Sequence, residues 1–290
     1  MKDISIMIDE NRPLTASNNS KRIRKRKHDW ESVKQMIAIG NSLPLDLESD
    51  SQEHCNLTVE KLSELNTFVT IVIPTLNEQE AIGKVLDELF SMGLKNLLVV
   101  DGYSSDGTLD TAKKYPISVI LQQGKGKAGA LKTAFKNVKT PYMIVIDGDF
   151  TYDPSCIPRF LEHMQTYDQI IGVRNLDDKK NISVIHKLGN KVITKTFNAL
   201  MGTNLSDVCS GMYTLKTEIA KDLDLSSTGF DVEVEISAQI ASSGTITEVP
   251  INYRQRIGQQ KLSTWKHGFK ILSTILKLGI IRRLTARRLE

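Results

Sequence analysis

Tyr142-Met143-Ile144-Val145-Ile146-Asp147-Gly148-Asp149-Phe150 is an apolar run that ends abruptly in two aspartates, one residue apart. A continuous apolar run of this length fits a strand buried on both faces of a parallel sheet. The carboxylates then emerge at the strand's C-terminal edge, where open α/β sheets bind ligands. Two carboxylates this close need a cation, a proton or hydrogen-bond donors to offset their repulsion. A polar turn capping a strand would read the same way, so the neighbouring segments decide.

Upstream, FVTIVIP (Phe68 to Pro74) is a short β-branched strand, and Thr75 to Gly93 reads as a loop and an amphipathic helix. NLLVVDGYSSDGT (Asn96 to Thr108) is a second buried strand entering a Gly- and Ser-rich turn, followed by a helix, TLDTAKKY. ISVILQ is a third strand, and GKGKAGALKTAFKNV (Gly124 to Val138) a helix opened by glycines. The run that ends in the aspartates is then the fourth strand. Downstream come a helix started by Pro154, a strand QIIGVR, an amphipathic segment Val184 to Met201 and a strand GMYTLK. A helix GFDVEVEISAQIASSG and a last strand TITEVPINYR follow. Strands alternating with helices of this length predict βαβ units. The fold class is therefore α/β, with a mostly parallel central sheet and helices on both faces.

The 290 residues suffice for one large α/β core plus a tail, and 40% hydrophobic with 25% charged is ordinary for a soluble chain. A net charge of +4 is too mild to imply a polyanionic partner. Cys55, Cys156 and Cys209 are widely spaced and odd in number, which fits a reducing compartment rather than a disulfide framework or a metal knuckle. No apolar N-terminal segment of signal-peptide type is present, and the apolar stretch Ile271 to Ile281 is broken by Lys277. The expected location is cytoplasmic.

Three regions are expected. Residues 1–66 form a polar extension holding KRIRKRKHDW (Lys21 to Trp30), with a short helix capped by Asp29 after it. The basic run reads as a solvated tail, a contact with anionic lipid, or a nucleic-acid or targeting signal. Aromatic interleaving and recognised nucleic-acid motifs are absent, so nucleic acid is not expected as a partner. Residues 67–262 make the core domain. Residues 263–290 make a basic amphipathic helix with Trp265, Phe269, Leu272, Leu276, Ile280 and Leu284 on one face. That face either lies on a membrane interface or packs against the core.

Polar residues gather at the strand ends: Pro74, Asn77 and Glu78 after the first, Asp101, Ser104, Ser105 and Asp106 after the second. Gly124 to Gly129 follow the third and Asp147 and Asp149 the fourth. A Gly-rich helix start carrying Lys125 and Lys127 offers amides and charge to an anion. The facing carboxylates suit a hard divalent cation that also takes phosphate oxygens. Asp101 and Asp106 can accept hydrogen bonds from a base or ribose. The combination describes a metal-bridged nucleotide diphosphate.

VTIVIPTLNEQEAI, VVDGYSSDGT, GKGKAGAL and VIDGDF resemble, in order and spacing, the inverting family 2 glycosyltransferases of GT-A fold. GVR (Gly172 to Arg174), DVCSGMYTLK (Asp207 to Lys216), FDVEVEI, TEVPINYRQR and IGQQKLS are similar to the dolichol-phosphate mannose and glucose synthases. The resemblance implies a donor such as GDP-mannose or UDP-glucose, a polyprenyl phosphate acceptor, and peripheral contact with the cytoplasmic face of a membrane. It implies that Pro74, Asn77, Glu78, Asp101 and Asp106 hold the nucleotide, with Lys125 near its phosphates. Asp147 and Asp149 would bind Mg2+ or Mn2+, and Arg174, Ser210, Arg256 and Lys261 would surround the acceptor phosphate. Asp149, Arg174 and Asp207 are the implied catalytic group.

The chain departs from the family pattern in places. The usual Gly-x-Ser-Lys is Gly258-Gln259-Gln260-Lys261, and the usual Asp-Asp-Gly-Ser is Asp101-Gly102-Tyr103-Ser104. Thr151 stands where a third side-chain metal ligand would be. Arg174 and Arg256 are also readable as surface ion pairs, Glu233 and Glu235 as polar helix positions, and Asp207 as a turn cap. A phosphate acceptor is already largely ionised, with a second pKa of about 6, and needs no general base. A hydroxyl acceptor needs one, and Asp207 is then the candidate. The QxxRW signature of hydroxyl-acceptor relatives is absent. A non-catalytic nucleotide-sugar-binding protein is the remaining reading.

Overall fold

The computed structural model describes residues 65–175, 184–259 and 264–286. The basic run Lys21 to Trp30 and the helix expected after Asp29 lie outside the described residues, as does Lys261.

Seven strands form one sheet: β1 (Val69–Thr75), β2 (Leu97–Asp101), β3 (Ser118–Leu121), β4 (Tyr142–Val145), β5 (Gln169–Arg174), β6 (Tyr213–Lys216) and β7 (Ile246–Ile251). Their order across the sheet is β3-β2-β1-β4-β6-β5-β7. β1, β2, β3 and β4 pair in parallel, and β5 pairs in parallel with β7. β6 alone is reversed, lying antiparallel to both β4 and β5. Because β4 and β5 flank the same reversed strand, they point the same way. Six C-terminal strand ends therefore reach one edge, and the reversed β6 brings its N-terminal residues to that same edge.

The helices are α1 (Gln79–Ser91), α2 (Thr108–Ala112), α3 (Gly126–Asn137), α4 (Ile157–Leu161), α5 (Val184–Met201), α6 (Thr217–Asp222), α7 (Val232–Ser243) and α8 (Thr264–Ala286). Val72, Val100, Met143, Val145, Tyr213 and Leu215 pack on one face of the sheet with Leu131, Ala134 and Phe135 of α3 and Val232, Ile236 and Ile240 of α7. Ile71 and Ile73 alternate to the opposite face by the strand period of two. Ile73 there approaches Ile82 of α1 beside Gly148. The single helix expected from Pro154 is instead a 3-10 turn, Pro154–Cys156, running into the five-residue α4. Pro158 near the start of α4 lacks the N–H that a longer continuous helix would use.

On α8 the expected apolar face turns outward at Phe269, Leu276, Ile280 and Leu284, while Leu272 and a second apolar stripe meet the core. Ile271 and Ile275 are buried and join Ile193, Phe197 and Met201 of α5 and Val234 and Ala238 of α7, with Leu272 and Leu278 packed alongside. Phe269, Leu276, Ile280 and Leu284 face outward, with Phe269 77% exposed. The longest apolar positions on a helix do not by themselves identify the side that meets the core. Asp231 anchors the start of α8, accepting from Lys270 Nζ at 2.9 Å and Thr274 Oγ1 at 3.1 Å. Among the described residues, no helix is long and apolar enough to cross a membrane.

Candidate functional site

The residues after β1 and β2 are laced loop to loop. Asp101 ends β2 fully buried, and its carboxylate accepts from the Ser104 amide at 2.9 Å and the Ser104 hydroxyl at 2.6 Å. Asn77 accepts from the Ser105 amide at 2.8 Å, while its own amide donates to Ser104 Oγ at 2.8 Å. Asp106 accepts from the Gln79 amide at 3.1 Å, the Thr108 amide at 3.0 Å and the Thr108 hydroxyl. Burial works against charge on Asp106, but those donors hold its carboxyl below the usual range. Asn77 and Asp106 thus brace the β1 and β2 loops against each other, and Pro74 lies in register with Val100 at the base of that brace.

Among the described residues, three non-glycine residues take positive φ, and all three sit at this edge: Asn77 at 50°, Tyr103 at 65° and Phe150 at 69°. Left-handed backbone is unfavourable for a bulky residue such as Phe150, and such positions concentrate at functional sites. Arg254 compensates by stacking its guanidinium 4.9 Å from the Phe150 ring centre.

Lys125 precedes α3 as its exposed cap residue, at the glycine-rich turn. Lys127 does not face outward as an anion donor. Its ammonium is buried between Asp147 Oδ1 and Glu233 Oε1, 2.6 Å from each. Burial, and the repulsion of a second carboxylate, push both Asp147 and Glu233 above the usual carboxylate range, with Lys127 opposing. Burial disfavours the Lys127 charge, yet the two carboxylates outweigh it and hold the ammonium protonated. A Cβ on Gly211, just before β6, would lie 2.2 Å from Asp147 Oδ2, so any side chain there displaces that carboxylate.

Asp149 is buried, and its Oδ1 accepts from the Thr151 amide at 3.1 Å and the Thr151 hydroxyl at 2.5 Å. Its Oδ2 pairs with Arg256, which also reaches Glu78 Oε1 at 2.5 Å. The loop carrying Arg256 runs alongside the Asp149 segment. Arg254 N donates to Thr151 O at 2.6 Å, Ile257 N to Asp149 O at 3.2 Å, and Tyr152 bridges Tyr253.

Arg174 at the end of β5 grips Asp207 through Nε at 2.6 Å and Nη2 at 2.8 Å. Asp207 is 2% exposed and also accepts from Asn190 at 3.1 Å, so this is a buried bidentate pair rather than a surface one. Arg174 lies 5.4 Å from the Tyr253 ring centre, and Tyr253 meets Tyr152 edge to face. Tyr152 Oη accepts from the Gly211 amide at 2.6 Å, and Ser210 lies buried beside it in sequence. Burial pushes the Cys209 thiol up to about 12, which removes it as a nucleophile near neutral pH.

The sheet therefore brings Glu78, Asp101, Lys125, Asp147, Asp149, Arg174, Asp207, Ser210 and Arg256 to one edge. The pairings of Lys127 with Glu233 and of Arg256 with Asp149 were not read from the sequence. Glu233 carried a signal: a charge inside the apolar run Val232 to Ile236 must find a partner. Glu235 finds its own, accepting from the Ser226 and Ser227 amides at 2.8 Å each. Among the described residues no cluster of three or more His, Cys, Asp or Glu stands ready to hold a metal. Two aspartates with hard oxygen donors do fit a cation that takes one or two carboxylates and completes its shell with phosphate oxygens and water.

The family model for glycosyl transferase family 2 matches residues 70–224. The chain is 33% identical over 192 residues to the glycosyltransferase AglJ of Haloferax volcanii, covering 65% of this chain and 63% of that protein. It is 30% identical over 220 residues to a dolichyl-phosphate hexose transferase of the same organism, covering 74% of this chain and 96% of that protein. Among solved structures it superposes on glucosyl-3-phosphoglycerate synthase from Mycobacterium tuberculosis in complex with Mn2+, UDP-glucose and phosphoglyceric acid. The TM-score is 0.65 at 18% identity, over 82% of this chain and 88% of that one. At that identity the likeness is one of fold, the GT-A arrangement.

Proposed function

From the premise that the chain belongs to glycosyl transferase family 2, we propose that it moves a hexose from a nucleotide-sugar to a polyprenyl phosphate, inverting the anomeric carbon. The relative named a dolichyl-phosphate hexose transferase supports the acceptor class. GDP-mannose and UDP-glucose are the donors to test first.

The observation that carries the reading is the state of Asp207. It is the acceptor-side carboxylate that a hydroxyl acceptor would need as base, and it is buried in a bidentate grip by Arg174. Both oxygens of that carboxylate are taken by donors from Arg174 and Asn190, which leaves none turned to an incoming hydroxyl, whereas a phosphate oxygen attacks without a base. Arg174 lines that approach, its charge shared with Asp207. On the donor side, the glycine-rich start of α3 and Lys125 meet the diphosphate, while Glu78 and the braced β1 and β2 loops orient the nucleoside. A divalent cation, Mg2+ or Mn2+, held by Asp147 and Asp149 would offset the charge that develops on the leaving diphosphate. Asp149 fixes its own geometry through Thr151, and Lys127 with Glu233 fixes Asp147.

Lipid acceptors reside in bilayers, and α8 presents an apolar stripe of Phe269, Leu276, Ile280 and Leu284. Residues 264–286 carry Lys266, Lys270, Lys277, Arg282 and Arg283 with no acidic residue. Lys270 is paired with Asp231, and apolar side chains beside the remaining basic residues suit peripheral attachment to an anionic membrane surface.

The test is a panel of radiolabelled nucleotide-sugars with polyprenyl phosphate, run on the wild-type protein and on Asp149→Ala. Labelled lipid from one donor, lost by about a hundredfold or more in the variant, is the expected result. Transfer that survives near the wild-type rate in Asp149→Ala removes the metal role. Labelling of a sugar hydroxyl in preference to the lipid phosphate overturns the acceptor assignment.

A further inference from the structure

Arg256 occupies the position where charge balance at the site is decided. Its guanidinium spans Asp149 Oδ2 on one side and Glu78 Oε1 on the other, and Nε donates to the Gln259 carbonyl at 3.0 Å. Thr151 already takes the other oxygen of Asp149 with both its amide and its hydroxyl. Arg256 therefore covers the oxygen that Thr151 leaves open. A divalent cation and a guanidinium cannot both sit on that oxygen, because each brings positive charge to the same few ångströms.

The backbone keeps the arginine close whatever its side chain does. Arg254 N and Ile257 N donate to the carbonyls of Thr151 and Asp149, so the chain on both sides of Arg256 is pinned to the acidic segment. The planar fork of a guanidinium accepts phosphate oxygens as readily as carboxylates. Two anion partners are thus interchangeable for Arg256, and only one of them is present in the protein itself.

We propose that Arg256 is an electrostatic latch on the cation site: it holds Asp149 until a nucleoside diphosphate arrives to take the guanidinium. A cation binding alone would satisfy Asp149 but displace a half-buried positive charge from its two carboxylates, Asp149 and Glu78, which is costly. Cation and diphosphate arriving together satisfy both groups. The two ligands then bind with positive coupling, and by linkage each tightens the other by the same factor. The inference rests on Asp147 and Asp149 being the cation ligands.

Mn2+ binding to the full chain, followed by electron paramagnetic resonance of the free ion, tests this without turnover. Titrations are run alone and with UDP or GDP. In the wild type the diphosphate tightens Mn2+ by about tenfold or more, the ordinary size for coupled ligands. In Arg256→Gln, Mn2+ alone binds about tenfold more tightly than to wild type, and the gain from nucleotide shrinks to match. Arg256→Lys, which keeps one charge but cannot span both carboxylates, falls between them. If either folded variant, checked by circular dichroism, binds Mn2+ alone no more tightly than wild type, the latch is wrong while the cation site stands. If neither wild type nor variants retain Mn2+ with or without nucleotide, the cation assignment falls and the latch with it.

Discussion

Lys127 stands 2.6 Å from Asp147 and equally close to Glu233, so one ammonium neutralises two carboxylates, one just after β4 and the other in the first turn of α7. Removing the cation leaves two like charges facing each other out of water. Lys127→Met should therefore cost about 3–5 kcal/mol of stability. Glu233→Gln leaves the Lys127–Asp147 pair intact and should cost about 1 kcal/mol. Urea unfolding midpoints of the two variants decide it, and equal losses would show that the trio does not act as drawn.

Phe150 carries its left-handed backbone immediately after the paired aspartates. Alanine there would lose the ring while keeping the conformational cost, whereas glycine would lose both. Phe150→Gly should be the more stable of the two by about 1 kcal/mol, read from thermal denaturation. The opposite order would place the strain elsewhere.

Asp207 offers a distinction by pH. Acting through Arg174, it should leave the pH dependence of turnover unchanged in shape when replaced by asparagine, with kcat/KM for the acceptor reduced by about tenfold. Loss of the low-pH limb in Asp207→Asn would instead identify a general base.

Asp168 ties β5 to β6 and β7. It accepts from Lys216 Nζ at 2.7 Å and from the Thr245 amide at 2.8 Å. Burial opposes its charge, but Lys216 and Thr245 hold its carboxyl below the usual value. The folded state therefore binds this proton less readily than the unfolded chain. Its contribution is present above about pH 4 and is lost as pH falls through the lowered folded value. Asp168→Asn should destabilise the protein at pH 7, and the gap to wild type should narrow below about pH 4. Chemical denaturation at several pH values checks this, and a constant gap would refute it.

On α8, Phe269 and Ile280 are exposed and well away from the buried Ile271 and Ile275. Replacing both with serine should weaken sedimentation with anionic vesicles by about tenfold or more, given roughly 1.5–3 kcal/mol for each large apolar side chain. Neutral vesicles serve as the charge control. Unchanged vesicle binding, or a change in oligomeric state by light scattering in its place, would assign the stripe to another occupant.

Much of this edge was legible in the chain. The apolar runs before Thr75, Asp101 and Asp149 end in polar residues, and parallel pairing carries those ends to one side. The reversal of β6 was not legible. A strand buried on both faces has the same composition in either direction, so the pattern carries no arrow. Arg256 on Asp149 was not legible either, because the register between the loop after β7 and the acidic segment is set by backbone hydrogen bonds and has no local sequence signature. On α8, both stripes are apolar, and only tertiary contact with α5 and α7 separates the packed one from the bare one.

The zipper between Thr151 and Arg254 and between Asp149 and Ile257 also bears on when the protein becomes competent during synthesis. The first four strands can pair once β4 has left the ribosome, well before β7 is made. The acidic loop has to wait for a segment made long afterwards before it is closed. A nascent chain halted before β7 would carry a nearly complete sheet and an unfinished, strongly anionic mouth. Closure of the acidic loop is thus one of the last events of folding.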